Sequence, residues 1–156
     1  MKFQQRTSFL KRYFGETGFN SSDFIHAFGQ ASRAILYSCL FIPEFVEVQG
    51  SVLLESKIST EDALSRFINL VKDNTMTPEV LQTLEASFNT VEVGYLFNAP
   101  GRDTTDVEDG ILAELIAESW RYSLKARFPE KKFRVEVLSA EVTGSTVGVH
   151  FYEERS

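Results

Sequence analysis

Apolar and polar positions alternate most clearly in the last fifth of the chain. Two runs with a period of two flank Gly144-Ser145: Leu138, Ala140 and Val142 before it, and Val147, Val149 and Phe151 after it. Such a period is typical of a half-buried strand. Gly144 would supply the positive φ that a type II′ turn needs. The pattern therefore predicts a β-hairpin in which Val142 faces Val147.

The alternation changes parity upstream of this hairpin. Phe133, Val135 and Val137 are apolar at odd positions, whereas the next apolar residues stand at even ones. A β-bulge near Val137 and Leu138 would restore one continuous buried face.

Apolar residues at helical spacing predict the helices. Residues 7–14 form a short first helix, and Ser21 or Ser22 caps a second one that ends near Ser38 or Leu40, before Pro43. The buried face of this second helix is predicted from four residues: Phe24, Phe28, Ala31 and Ile35.

Three further helix starts carry capping signals. Ser59 with Asp62 resembles a capping box, Thr77-Pro78 is typical of a helix start, and Thr105 stands at capping-box distance from Glu108. Pro129 prevents the last of these helices from continuing beyond Phe128.

Two more segments read as strands. Residues 45–55 are either one strand with a glycine kink or a hairpin with a Gln49-Gly50-Ser51 loop. Both alternatives place the same four residues on one face: Val46, Val48, Val52 and Leu54. Residues 91–97 alternate in the same way and predict another strand.

The order of these elements predicts an α+β fold in one domain, residues 1–156. Adjacent strands are too frequent for a doubly wound sheet. We expect a mostly antiparallel sheet of about four or five strands, with helices packed on one face and a C-terminal β-hairpin. No repeat or linker divides the chain.

Charge is unevenly distributed along the 156 residues. The net charge is -6, yet residues 1–15 carry +4 (Lys2, Arg6, Lys11 and Arg12), so the remainder carries -10. An acidic body disfavours nucleic acid, because phosphates favour basic surfaces. It favours a basic protein partner, or it simply keeps the protein in solution.

Cysteine use and hydropathy indicate the compartment. The single Cys39 excludes an internal disulfide and indicates a reducing environment. Its apolar neighbours predict a buried, structural thiol. No apolar run is long enough to span a bilayer. We expect a cytoplasmic, bacterial-type protein that does not bind membranes.

Residues that could carry catalysis are few. His26 and His150 are the only histidines, and neither has a partner at metal-ligand spacing, so the sequence indicates no metal and no cofactor. The predicted hairpin register places His150 opposite Ser139, with Glu141 diagonal to it. Without oxyanion donors, this trio predicts a solvent-facing polar cluster and not a hydrolase triad.

The region around residues 103–118 is the strongest functional signal. It gathers six acids against one base, Arg102: Asp103, Asp106, Glu108, Asp109, Glu114 and Glu118. Acids are also favourable near helix N-termini for purely structural reasons. We consider these six the candidate contact residues for a basic partner.

Two functional hypotheses remain. The first is a non-enzymatic acidic interaction domain, of the inhibitor or immunity type, that binds a basic protein partner. The alternative is a ligand-binding or enzymatic domain with a pocket between sheet and helices, lined by Phe residues, Tyr95 and Trp120. A homodimer formed through an unpaired sheet edge is compatible with either.

Overall fold

A computed structural model describes residues 8–13, 15, 20–72 and 76–155, so Thr7 and Phe14 of the predicted first helix lie outside the described residues. Its helices are α1 (residues 8–13), α2 (Ser21–Phe28), α3 (Ala31–Phe41), α4 (Glu61–Val71), α5 (Pro78–Phe88), α6 (Asp106–Arg127) and α7 (Ala140–Thr143). Its strands are β1 (Phe45–Val48), β2 (Ser51–Leu54), β3 (Val91–Glu92), β4 (Phe133–Leu138) and β5 (Gly148–Glu153).

The α+β class is confirmed, and the strand pairs are antiparallel. The five strands are divided between two small sheets: β1 pairs with β2, and β3, β5 and β4 follow one another in the other. Within the described residues, no helix is both long enough and apolar enough to cross a membrane.

Helix α6 lies at the centre of the larger hydrophobic core. Trp120 is 1% exposed and packs edge-on against Phe151 of β5, at 5.9 Å between ring centroids. The remaining buried members of this core come from α6, both sheets and the turn that follows β3: Phe45, Val52, Leu54, Val91, Val93, Ala113, Ile116, Ala117, Leu124, Val135 and Val149.

A second core lies on the opposite side of β2. There Leu53, Ile58 and Phe67 are buried beneath α4 and α5, and Phe67 contacts the Phe88 ring edge-on at 5.0 Å. All four residues of β2 are buried. This strand is therefore covered on both faces.

The side chain of Asn89 joins the two sheets. Its Oδ1 accepts a hydrogen bond from the backbone N–H of Leu54 (2.9 Å). Its Nδ2 donates to the carbonyl oxygens of Val52 (3.0 Å) and Phe151 (3.3 Å). Asn89 is fully buried, so these bonds satisfy backbone groups that water does not reach.

A buried ion pair fixes the end of the chain to α5. Glu85 has no exposed surface, and its two carboxylate oxygens accept from the guanidinium of Arg155 at 2.6 and 2.7 Å. The same carboxylate accepts from the backbone N–H of Glu153 (3.0 Å). Lys131 adds a further contact by donating a hydrogen bond to the Gly50 carbonyl at 2.9 Å.

The prediction of a tight C-terminal hairpin is wrong in both its turn and its register. Residues 140–143 form α7, and β4 pairs with β5 so that Leu138 faces Gly148 and Val137 faces Val149. Gly144 has the predicted positive φ (77°), but it caps α7. The parity change at Val137 and Leu138 therefore marks the end of a strand, and no bulge is needed.

The first hairpin follows one of the two alternatives. Gln49 and Gly50, with φ of 52° and 80°, form a two-residue turn between β1 and β2. The prediction that the four apolar residues share a face is wrong. Val52 and Leu54 belong to the larger core, whereas Val46 and Val48 pack beside Leu53 in the second. After a three-residue loop, even-numbered residues of both strands would share a face. After a two-residue turn, the even-numbered residues of β1 lie on the same face as the odd-numbered residues of β2.

The predicted second helix is broken in two. Asn20, not Ser21 or Ser22, caps α2 through a capping box with Asp23, and Gly29 ends it in extended geometry. The predicted buried face is wrong beyond Phe24, since Phe28 and Ile35 are exposed. Cys39 is exposed too, contrary to the prediction of a buried thiol. Only the C-terminal end of α3, at Leu40 and Phe41, packs on the core.

The remaining helix starts depend on local chemistry, and most are confirmed. Thr77 caps α5 with Pro78 in its first turn, and the Thr105–Glu108 capping box opens α6. Thr60 caps α4, one residue later than predicted. The strand predicted over residues 91–97 ends at Glu92, because Val93–Tyr95 turns into a 3-10 helix.

Candidate interaction site at the entry of helix α6

Two of the predicted acids build the entry of α6 itself. Glu108 accepts a hydrogen bond from the Thr105 backbone N–H at 2.8 Å, and Asp109 accepts from the Thr104 hydroxyl at 2.5 Å. Both acids are only 8% exposed. The Glu108 carboxylate thus satisfies the backbone donor of the N-cap residue, and both carboxylates interact favourably with the helix dipole.

The six acids therefore do not form one solvated surface. Asp103 and Asp106 are exposed, Glu114 and Glu118 are half-buried along α6, and Glu108 and Asp109 are buried. The sequence identified the cluster but not this division, because burial depends on which element packs over the helix.

Helix α1 packs over this entry. The Arg12 guanidinium forms an ion pair with Glu108, and the Tyr13 hydroxyl donates to Asp103 at 2.7 Å. This bond and the negative charge of Asp103 raise the pKa of Tyr13 above its ordinary value. The acidic entry thus already contacts a basic segment of the same chain.

Apolar side chains complete the contact between α1 and α6. A cavity of about 250 Å³ is lined by Phe9 and Leu10 on one side and by the α6 residues Ile111, Leu112 and Leu115 on the other, together with Thr104 and Glu108. Phe9 also packs against the Tyr13 ring at 5.5 Å between centroids. The site therefore combines an acidic rim with an apolar floor.

Sequence reasoning found the acids but missed α1 as their neighbour. The available signal was the alternation of apolar and basic residues over 9–13: Phe9, Leu10, Lys11, Arg12 and Tyr13. That pattern is typical of a segment with one apolar face and complementary charge.

The predicted polar cluster on the hairpin is not brought together as expected. The β4–β5 register places Glu136 opposite His150, and His150 Nε2 lies 3.2 Å from the Glu136 carboxylate. The hydrogen bond with His150, followed by that from Arg134, lowers the pKa of Glu136. Ser139 and Glu141 lie instead at the N-cap and in the first turn of α7.

The pocket of the alternative hypothesis is present only in part. A groove of about 310 Å³ beside α3 is lined by Trp120 and Phe97, together with Leu36, Leu40, Leu54 and Leu96. Tyr95 does not line it: its hydroxyl lies 2.8 Å from the Ser145 hydroxyl. The lining is mostly apolar, so it offers few polar groups to orient a substrate.

A basic cleft of about 460 Å³ was not predicted. It lies between the second half of α6 and β4 and is lined by Arg121, Lys125, Lys131 and Lys132, with Glu154 at its margin. Arg121 donates to the Val135 carbonyl (2.8 Å), and Lys131 pairs with Glu153 (3.0 Å). Two of the four basic side chains, Arg121 and Lys131, are therefore held by contacts within the fold.

Among the described residues, no group of three or more His, Cys, Asp or Glu side chains could hold a metal ion. Comparison of the chain with known protein families, curated proteins and solved structures finds no significant match to any of the three.

Proposed function

We propose that this protein is a non-enzymatic interaction domain that binds a basic, partly apolar segment of another protein at the entry of α6. The observation that carries the proposal is the packing of α1, whose Arg12 and Tyr13 contact acids while Phe9 and Leu10 cover an apolar floor. An inhibitor of a basic protein is one kind of molecule that binds in this way.

Charge and shape both favour such a partner. The chain beyond residue 15 carries -10, which would attract a basic protein and speed its association. The apolar residues Ile111, Leu112 and Leu115 would then hold the partner's apolar side chains, which contribute more to affinity than exposed charges do.

Helix α1 occupies this site weakly enough to be displaced. The Arg12 side chain is 61% exposed, and Tyr13 is about half exposed. The Tyr13–Asp103 hydrogen bond is exposed, so water and salt weaken it. Helix α1 therefore acts as an internal competitor, and a partner must displace it.

A peptide of residues 1–15, labelled with a fluorophore, serves as the basic, apolar probe. Anisotropy titrations would compare the wild-type chain with Leu10→Asp, a substitution that loosens the chain's own α1. We expect the peptide to bind Leu10→Asp at least ~10-fold more tightly, because an attached competitor acts at high effective concentration. Affinity should fall steeply with added salt.

Glu108→Gln, in the Leu10→Asp background, is the matched control for charge. Glutamine at this position keeps the capping box, so α6 still begins at the same residue, but the ion-pair partner is lost. Peptide binding should weaken several-fold without a change in the circular dichroism spectrum. Equal peptide affinity for all three proteins, or no binding to any, would contradict the proposal.

A further inference from the structure

Helix α3 is apolar in sequence and yet has no buried residue. Ile35, Leu36 and Ile42 are 72%, 64% and 58% exposed, and Cys39 is exposed between them. In the preceding helix, Ile25 and Phe28 are also exposed. Large apolar side chains concentrated in this way mark an interaction surface more often than scattered ones do.

Helical geometry makes this surface continuous. Residues three and four positions apart are neighbours on a helix, so Ile35 and Cys39 lie in line towards Ile42, with Leu36 beside them. Ala31 and Ser32 extend the same face at its N-terminal end, and both are exposed. We call these six residues the outer face of α3.

The outer face carries no charge. No acid occurs between Asp23 and Glu44, and Arg33 projects from the opposite side of the helix by its spacing from Ile35. A second copy of this chain also carries a net charge of -6. Two copies therefore repel least when they meet through an acid-free helix, whereas a basic partner would gain nothing from this face.

The exposed area suits a weak dimer. At roughly 200 Å² for each large apolar residue, the exposed fractions of Ile35, Leu36 and Ile42 leave about 400 Å² in contact with water. Pairing this area with itself would bury about 800 Å² in total, before the three smaller residues of the face are added, which is the range of transient interfaces. A reversible dimer is the assembly that fits this area.

We propose that the outer face of α3 is a homodimer interface, in which the α3 helices of two copies pack against each other about a two-fold axis. A two-fold axis brings the same patch of both copies together and closes the assembly at two chains. The apolar groove beside Leu36 would be partly covered in the dimer. This interface is independent of the α6 entry, where the proposed basic partner binds.

Sedimentation velocity over a range of concentrations tests the proposal. The wild-type protein should shift from monomer to dimer, and Ile35→Asp with Cys39→Asp should raise the dimer dissociation constant at least ~100-fold, because two charges per chain would enter the desolvated interface. Since both positions are exposed, circular dichroism should show an unchanged fold. Val142→Asp is the matched control, because Val142 is 70% exposed on α7 and should leave the dimer intact.

Cys39 gives a second, independent measurement in the wild-type chain. Its rate of reaction with a maleimide should fall several-fold as the dimer forms, since the thiol lies within the interface. A monomer at all concentrations would overturn the proposal. So would a dimer that persists in Ile35→Asp/Cys39→Asp, which would place the interface at a sheet edge, or larger aggregates in place of a dimer.

Discussion

The N-terminal helices and the remainder of this protein contain similar proportions of apolar residues but use them differently. From Phe45 to Arg155 apolar residues fill two cores, whereas in α1 to α3 Phe24 is the single buried hydrophobic residue that the structure describes. Helix α3 is as apolar as the core helices and still lies on the surface. The comparison shows that apolar composition alone does not place a helix in a core.

What distinguishes the region from Phe45 to Arg155 is its set of buried polar contacts. Asn89 connects β2 with β5, and Glu85 holds Arg155 at the end of the chain. Each contact links segments far apart in sequence and satisfies groups that water does not reach. Helix α1 contacts the rest of the protein through exposed bonds such as Tyr13 with Asp103, and the end of α3 is held by the hydrogen bond that Trp120 donates to the Leu40 carbonyl.

The largest expected effect on stability comes from breaking the buried ion pair. Glu85→Gln should lower the free energy of unfolding by about 3 kcal/mol, because the guanidinium of Arg155 loses its buried counter-charge. Urea denaturation followed by circular dichroism measures this loss. Glu44→Gln removes the exposed partner of Arg127 and should leave the midpoint within experimental error. Equal losses in the two variants would contradict the distinction between buried and exposed ion pairs.

A matched pair of leucines compares the regions directly. Leu53 is fully buried beneath α4 and α5, whereas Leu36 is exposed on α3. Leu53→Ala should cost about 2–4 kcal/mol, because it leaves a cavity in a packed core. Leu36→Ala should change the stability of the monomer by less than ~0.5 kcal/mol.

The leucine measurements belong at a protein concentration where the chain is monomeric. If Leu36→Ala were as costly as Leu53→Ala there, α3 would be packed within the monomer, and the proposed dimer interface would lose its basis.

Local chemistry explains which parts of the fold are predictable from the sequence. The starts of α5 and α6 depend on side chains within three residues of the first turn, so Thr77-Pro78 and Thr105–Glu108 identify them. The turn at Gln49-Gly50 is also local, but its length decides the face of every following residue. An error of one residue in the length of this turn placed Val52 and Leu54 on the same face as Val46 and Val48, whereas the two pairs belong to different cores.

The candidate site is less predictable, because it depends on contacts between distant segments. The spacing of the acids is visible in the sequence, but the burial of Glu108 and its ion pair with Arg12 of α1 are not. Glu85 did carry a signal, since it lies four residues after Leu81 and three before Phe88, on an apolar stripe. An acid on such a stripe needs a partner, and only the fold shows that the partner is Arg155.

The smallest expected effect concerns a partly exposed pair within the region from Phe45 to Arg155. The hydrogen bond with His150 lowers the pKa of Glu136 in the folded protein below the ordinary value of 4.5. The unfolded chain therefore takes up a proton first as the pH falls, so the stability that Glu136 contributes is present above about pH 4.5 and is lost below it. Because Glu136 is 37% exposed, solvent screening keeps this contribution well under ~1 kcal/mol. Glu136→Gln should unfold at a slightly lower urea concentration than the wild type at pH 6 and at the same concentration near pH 3. A difference that persists or grows at pH 3 would mean that Glu136 stabilises the strand pair by packing and not by its charge.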